Sequence, residues 1–271
     1  MTSGEEGRRM ETGSDVIFDG YARHYDLLYA DKDYAAETDY ITRLIQRHAP
    51  GARTILELGS GTGMHAGLLA DRGFSVHGIE RSAVMFERSL AVAQRVNVGA
   101  GRCRLEFTAA DIRTVRLDRQ FDAVASLFHV VSYQTSNADA IATLETARHH
   151  LKRGGVFIFD IWYGPAVLAQ QPAVRVKRVS DERWALTRIA EPTLHCNENT
   201  VDVTYRLFAK SLADDRMDEL TETHSMRYFF MPEIELLAAR SGFELRHAES
   251  WMTGAPIHQG AWSICVVLQA Q

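Results

Sequence analysis

Residues 54–63, reading Thr-Ile-Leu-Glu-Leu-Gly-Ser-Gly-Thr-Gly, constrain this chain more than any other stretch. Ile55, Leu56 and Leu58 read as a buried strand, and 64–70 reads as the start of a helix with Leu68 and Leu69 facing inward. Between them Gly59, Gly61 and Gly63 fall at every second position, where the chain must turn sharply and offer bare backbone to a ligand. A second apolar run ends in Glu80, roughly 20 residues past the first glycine, the distance at which an acid takes ribose hydroxyls. Two carboxylate oxygens match two vicinal hydroxyls. The arrangement predicts a nucleotide-containing cofactor at the edge of a parallel sheet.

The spacing also separates one cofactor from another. The dinucleotide pattern needs its third glycine one residue later than Gly63. Glu57, just before the loop, would repel a pyrophosphate but suits a cationic amino-acid ligand, which argues for S-adenosylmethionine over NAD. A third strand, 104–108, leads to Asp111 and Ile112, an acceptor for an adenine amino group and an apolar surface for the ring. Ser82 can cap a helix running to about residue 96, with Met85 in its first turns. A fourth strand spans 121–128. A helix over 139–151 is ended by Gly154 and Gly155, and 156–160 is a fifth, buried strand. Alternating strands and helices predict a parallel sheet covered on both faces, with ligands beyond the carboxyl ends of its strands.

The two flanks of this core read differently. Residues 18–45 carry helical periodicity, with Tyr21, Tyr25, Leu28 and Tyr29 on one stripe and Tyr34 following. Between 174 and 231 the pattern turns alternating, β-branched and aromatic, with strands expected over 183–189, 200–208 and 219–230. Pro232 opens a helix that Gly242 ends, and 243–251 and 262–268 return to the main sheet. The expected organisation is a disordered tail at 1–15, a helical segment at 16–50, a cofactor-binding core at 51–172, an antiparallel β insert at 173–231 and a completion of the core at 232–271. The fold class is α/β, a doubly wound, Rossmann-like seven-stranded sheet with an inserted antiparallel sheet.

These motifs resemble class I S-adenosylmethionine-dependent methyltransferases, whose first motif is E/D-x-G-x-G-x-G. Glu57, Gly59, Gly61 and Gly63 match that motif, while Glu80 and Asp111 fall where the family places its ribose and adenine contacts. From residue 21 to residue 268 the chain is similar to small-molecule methyltransferases of the amino-sugar N-methyltransferase type. The pieces that carry this are Tyr25-Asp26, Asp33-Tyr34, 57–63, 128–133, 160–163 and 222–227. The resemblance implies a 16–50 lid over the cofactor. It implies a cofactor site of Tyr25, Tyr34, Glu57, Gly59, Ser60, Gly61, Gly63, Glu80, Arg81, Met85, Asp111, Ile112 and Leu127.

The acceptor is expected where the fourth and fifth strands end. His129 and Tyr133 are the catalytic candidates, and Tyr21, Asp160, Trp162, Tyr163 and His224 the substrate-binding ones. The family carries a histidine near the end of its fourth strand, at a place that here holds Tyr133, with His129 four residues earlier. On intrinsic pKa His129 is the better base, and a packed, hydrogen-bonded histidine is the alternative. Asp160 is either an acceptor for a substrate amine or a structural carboxylate. Arg227 and Arg240 could meet a diphosphate if the acceptor is a nucleotide sugar.

Composition narrows the partners. A net charge of −5 disfavours nonspecific nucleic-acid binding. Cys103, Cys196 and Cys265 show neither metal spacing nor a disulfide framework, so no metal is expected. No apolar run is long enough to span a bilayer, and 1–15 lack the apolar centre of a signal peptide. The expectation is a cytoplasmic methyltransferase that uses S-adenosyl-L-methionine on a small molecule. The leading acceptor is the amine of a nucleotide-linked amino sugar. A hydroxyl of a sugar or secondary metabolite, or a non-catalytic binding module, are the alternatives, with a homodimer possible through the β insert.

Overall fold

The computed structural model describes residues 24–99 and 104–271. Tyr21, Cys103 and the 1–15 tail lie outside these residues. The expected first helix is one described turn, α1 (Tyr25–Leu28), followed by α2 (Tyr34–His48), whose first turn is capped by Asp33 accepting from the Ala36 N–H at 2.8 Å. Strands and helices then alternate: β1 (Thr54–Leu58), α3 (Met64–Asp71), β2 (Ser75–Glu80), α4 (Ala83–Gly99), β3 (Leu105–Ala109), β4 (Phe121–Ser126), a 3-10 turn (Val130–Tyr133), α5 (Asn137–His150) and β5 (Leu151–Tyr163).

β1 pairs in parallel with β2 on one side and β4 on the other, and β2 pairs with β3. β5 joins β4 in parallel and β11 (Ser263–Ala270) antiparallel, and β11 pairs with β10 (Phe243–Ser250). The core order is therefore β3-β2-β1-β4-β5-β11-β10, seven strands with β11 alone reversed. This is the doubly wound sheet that the motif order predicts. Strands covered on both faces read as continuous apolar runs. Ile55 packs with Tyr40, Ile41, Leu69 and Val96 of α2, α3 and α4 on one face. Leu56 and Leu58 pack on the other with Leu144 of α5 and with Ile234 and Leu237 of α7 (Met231–Arg240).

Beyond β5 and α6 (Gly164–Gln170) lie four antiparallel strands, β6 (Arg175–Ser180), β7 (Trp184–His195), β8 (Thr200–Ser211) and β9 (Met217–Phe229), each paired with the next. They join the core through the last residues of β5, where Trp162 and Tyr163 pair in parallel with Tyr228 and Phe229. Gly154 and Gly155, expected to terminate a helix, sit inside β5, because α5 already ends at His150. Gly155 lies so close to the Asp122 carbonyl that a Cβ would come within 2.8 Å of it and so serves strand contact, whereas Gly154 has open space around it and takes a left-handed φ of +78°. Among the described residues no helix is long and apolar enough to cross a membrane.

Candidate active site

A cavity of about 590 Å³ opens over the carboxyl ends of β1, β2 and β4. Here the strand order reverses, and volumes of roughly 300–1,000 Å³ are usual for ligand sites. The glycine loop forms its floor. The N–H groups of Gly59 and Ser60 both donate to the Ile79 carbonyl at 2.9 Å, which folds the loop over the end of β2. Gly59 and Gly63 have φ of +75° and +82°, and a Cβ would come within 2.5 Å of Val130 and 2.7 Å of Phe107 respectively. A side chain at Gly61 would meet nothing nearer than the Met85 sulfur at 3.9 Å, so bare backbone faces the cavity there.

Glu80 fixes the far side of the loop. One carboxylate oxygen accepts from the Gly61 N–H at 2.8 Å and the other from the Ser82 N–H at 2.7 Å. Burial raises its pKa from the usual carboxylate value. Asp111 lies further along the wall. Burial alone would push its carboxyl up, but the guanidinium of Arg113, with Nε 3.0 Å from Oδ1, outweighs this and holds it low. Met85, Ile112 and Leu127 add apolar lining, and Tyr25 of α1 and Tyr34 of α2 line the same cavity. A dihydroxyl-seeking carboxylate, apolar lining for a flat ring, bare backbone and electron-rich rings for a cation fit S-adenosylmethionine in each of its parts.

Most candidates meet in this cavity: Tyr25, Tyr34, Gly59, Ser60, Gly61, Glu80, Arg81, Met85, Asp111, Ile112 and Leu127 at one end, and His129, Tyr133, Trp162 and His224 at the other. Four described candidates do not line it. Gly63 caps α3 behind the loop. Tyr163 packs against the core that contains Phe159 and Phe229, which corrects its assignment to the acceptor wall. Asp160 is 1% exposed and accepts from the His129 N–H at 3.1 Å, with its Oδ2 2.7 Å from His129 Nδ1 but off the line of a hydrogen bond to that nitrogen. It therefore anchors a turn in which two consecutive non-glycine residues, Phe128 and His129, take left-handed φ of 65° and 63°.

Glu57 is the fourth. It lies buried beneath the loop, with Oε2 unpartnered, and burial together with the nearby Glu80 charge pushes its carboxyl up to about 8. An unfolded chain loses that proton near the ordinary value of 4.5, so stability falls as pH rises through the window between 4.5 and about 8. Glu57→Gln removes the titration. Its stability relative to the native protein should rise from pH 5 to pH 8, as read by urea midpoints; an equal difference at both pH values would contradict the assignment.

Other residues came to the cavity unannounced. Arg188 of β7 and Tyr205 of β8 line its outer end, the guanidinium 5.1 Å from the Tyr205 ring; Phe128 and Gln134 also line the cavity, as does Arg113 beside Asp111. No spacing links residues of the antiparallel strands to the glycine loop, so only the fold brings them together. The two expected diphosphate arginines are elsewhere. Arg227 is 6% exposed, donates to Asn137 Oδ1 at 2.6 Å and pairs with Glu233, while Arg240 borders a separate groove with Glu145 and Arg148.

Residues 55–155 match the family model described as "Methyltransferase domain". With this fold and this loop, the chain is a class I, S-adenosylmethionine-dependent methyltransferase, and its cofactor is S-adenosylmethionine. It is 28% identical over 244 residues, 89% of each chain, to a dTDP-3-amino-3,6-dideoxy-alpha-D-glucopyranose N,N-dimethyltransferase of Streptomyces fradiae. It is 25% identical, over 89% of this chain and 97% of the relative, to a dTDP-3-amino-3,4,6-trideoxy-alpha-D-glucopyranose N,N-dimethyltransferase of Streptomyces venezuelae. Among solved structures, an S-adenosylmethionine-dependent methyltransferase from Clostridium acetobutylicum superposes with a TM-score of 0.77 at 20% identity, covering 93% of this chain and 98% of that one. An amino pentose methyltransferase from Micromonospora echinaspora gives 0.71 at 24%, covering 94% and 98%. At these identities the likeness is one of fold.

Proposed function

We propose that this enzyme methylates the amine of an amino sugar carried on a nucleotide. The observation that carries the reading is the single cavity that continues from the Glu80 and Asp111 wall to a polar, aromatic end built by His129, Tyr133, Trp162, Tyr205 and His224. S-adenosylmethionine, when bound, supplies a methyl group already activated on a sulfonium. What remains for the protein is to orient the acceptor, exclude water and present a free lone pair on nitrogen. Glu80, Asp111 and the glycine loop would hold the nucleoside of the cofactor. Trp162 and Tyr205 supply aromatic surface for a sugar, and Arg188 beside them is a cation that can take a diphosphate. The relatives from the two Streptomyces species, named for amino sugars on dTDP, support the same choice of acceptor.

A second reading, methylation of a hydroxyl, is favoured by the His129–Asp160 pair, since a hydroxyl needs a general base. We also propose a cytoplasmic homodimer through the antiparallel strands, where the edge of β6 leaves Val174 and Val176 exposed.

The test of the acceptor is incubation with S-adenosylmethionine and dTDP-3-amino-3,6-dideoxyglucose, followed by mass spectrometry of the sugar. The amine should gain one or two methyl groups with matching S-adenosylhomocysteine. Turnover only with the 3-hydroxy analogue would transfer the assignment to O-methylation, and turnover with neither would end the nucleotide-sugar reading.

A further inference from the structure

We propose that Tyr133, His224 and Glu222 form a proton relay that strips the acceptor ammonium before methyl transfer. This rests on the amine reading above. The Tyr133 hydroxyl lies 2.9 Å from Nδ1 of His224, and Nε2 of the same ring lies 3.3 Å from Oε2 of Glu222. Tyr133 comes from the turn after β4, in the cofactor-binding half of the molecule. His224 and Glu222 are two apart on β9 and so share one strand face. Tyr133 and His224 line the cavity; His224 is 2% exposed, and Glu222 does not reach the cavity. Among the described residues, the titratable and charged groups around the relay include Tyr205 of β8 with its ring edge-on to the imidazole at 5.0 Å and Arg188 of β7 stacked beyond it, Glu222 on the imidazole's own strand, and Tyr25 of α1 near Tyr133.

The chemistry follows the line of atoms. An amino sugar arrives largely as an ammonium at neutral pH and has no lone pair to offer. Its N–H bond breaks as a new O–H bond forms on Tyr133, while the original Tyr133 proton passes to Nδ1 of His224. The amine is left neutral, Tyr133 is unchanged, and the imidazolium carries the charge beside the Glu222 carboxylate. The proton leaves to solvent before the next turn, as it must if a second methyl is to be added to a nitrogen that is again an ammonium. Tyr133 is the catalytic residue here, and His224 and Glu222 act through it. His129 is placed differently, since both its backbone N–H and its Nδ1 face Asp160. Tyr133 stands where the resembling family carries a histidine, and in this chain an imidazole reaches that hydroxyl from the added sheet.

Two measurements test the relay. With the dTDP-amino sugar as probe, His224→Gln and Tyr133→Phe should lose about 10²-fold in kcat/KM at pH 7. They should regain most of it above the pKa of the substrate amine, where the amine arrives already neutral. Glu222→Gln should lose less and recover over the same range. A loss that stays constant with pH, or native rates in any of the three, would overturn the proposal. The second measurement needs no acceptor. Nitrogen-15 NMR of the full chain with S-adenosylhomocysteine should show neutral His224 protonated on Nε2, with Nδ1 the acceptor. An Nδ1–H tautomer would overturn the relay. If the native enzyme methylates no amino sugar, the acceptor reading fails, and the tautomer still decides the relay by itself.

Discussion

Glu80→Ala is expected to lower affinity for S-adenosylhomocysteine by about 10²–10⁴-fold. Two hydrogen bonds from a ribose to a charged acceptor are worth roughly 1.5–3 kcal/mol each, which sums to that range. The structure adds a second cause. The same carboxylate accepts from the N–H groups of Gly61 and Ser82, so its removal also frees the loop that must present bare backbone to the ligand. Glu80→Gln keeps one oxygen as an acceptor and should fall between. Titration calorimetry reads both variants. An alanine variant within tenfold of the native affinity would remove Glu80 from the ribose site.

Asp160→Ala is the second substitution with a large expected effect, and it reaches activity through folding. Asp160 is buried, and both its oxygens lie 3.1 Å from the His129 N–H, at a turn where neither Phe128 nor His129 has a favoured backbone conformation. A hydrogen bond to a buried charge contributes about 1.5–3 kcal/mol, and the freed N–H would stay unsatisfied. The variant should therefore unfold at lower denaturant by that amount, and kcat/KM should collapse with it, because the turn carries His129 and leads into Tyr133. Asp160→Asn keeps an oxygen for the N–H and should recover most of the stability. Native stability in the alanine variant, with activity alone lost, would instead make Asp160 a contact of the substrate amine.

The cofactor half of the site was legible because its signals are local. Gly59 and Gly61 follow β1 directly, Glu80 ends β2, and Asp111 comes just after β3, so a one-dimensional spacing translates into a common sheet edge, while Glu57 and Gly63 belong to the same motif but lie beneath and behind the loop. The acceptor half was only partly so. Tyr205 and Arg188 reach the cavity through the register of β7 and β8, which depends on long-range pairing. β6 escaped notice because a charged edge strand with both faces largely exposed carries no apolar alternation. Arg227 read as a phosphate ligand because its nearest acid, Glu233, lies beyond the strand, at the start of α7. The left-handed pair Phe128 and His129 carried little sequence signal, since histidine is enriched at positive φ but phenylalanine is not, and neither is a glycine.

The seam between the two halves is narrow. In strand pairing, only Trp162 and Tyr163 of β5 run beside β9, and the other inserted strands pair with one another. Substitutions at the cavity-lining Tyr205 can therefore reshape what the enzyme accepts, whereas Leu186 of β7 and Leu207 of β8 pack with Leu28 and Tyr25 of α1 and tie those strands to the donor side. One protein of this build can diverge toward new sugars by altering a single wall, and the seam sets the limit: Trp162 lines the cavity and belongs to the joint, so it is the residue least free to change.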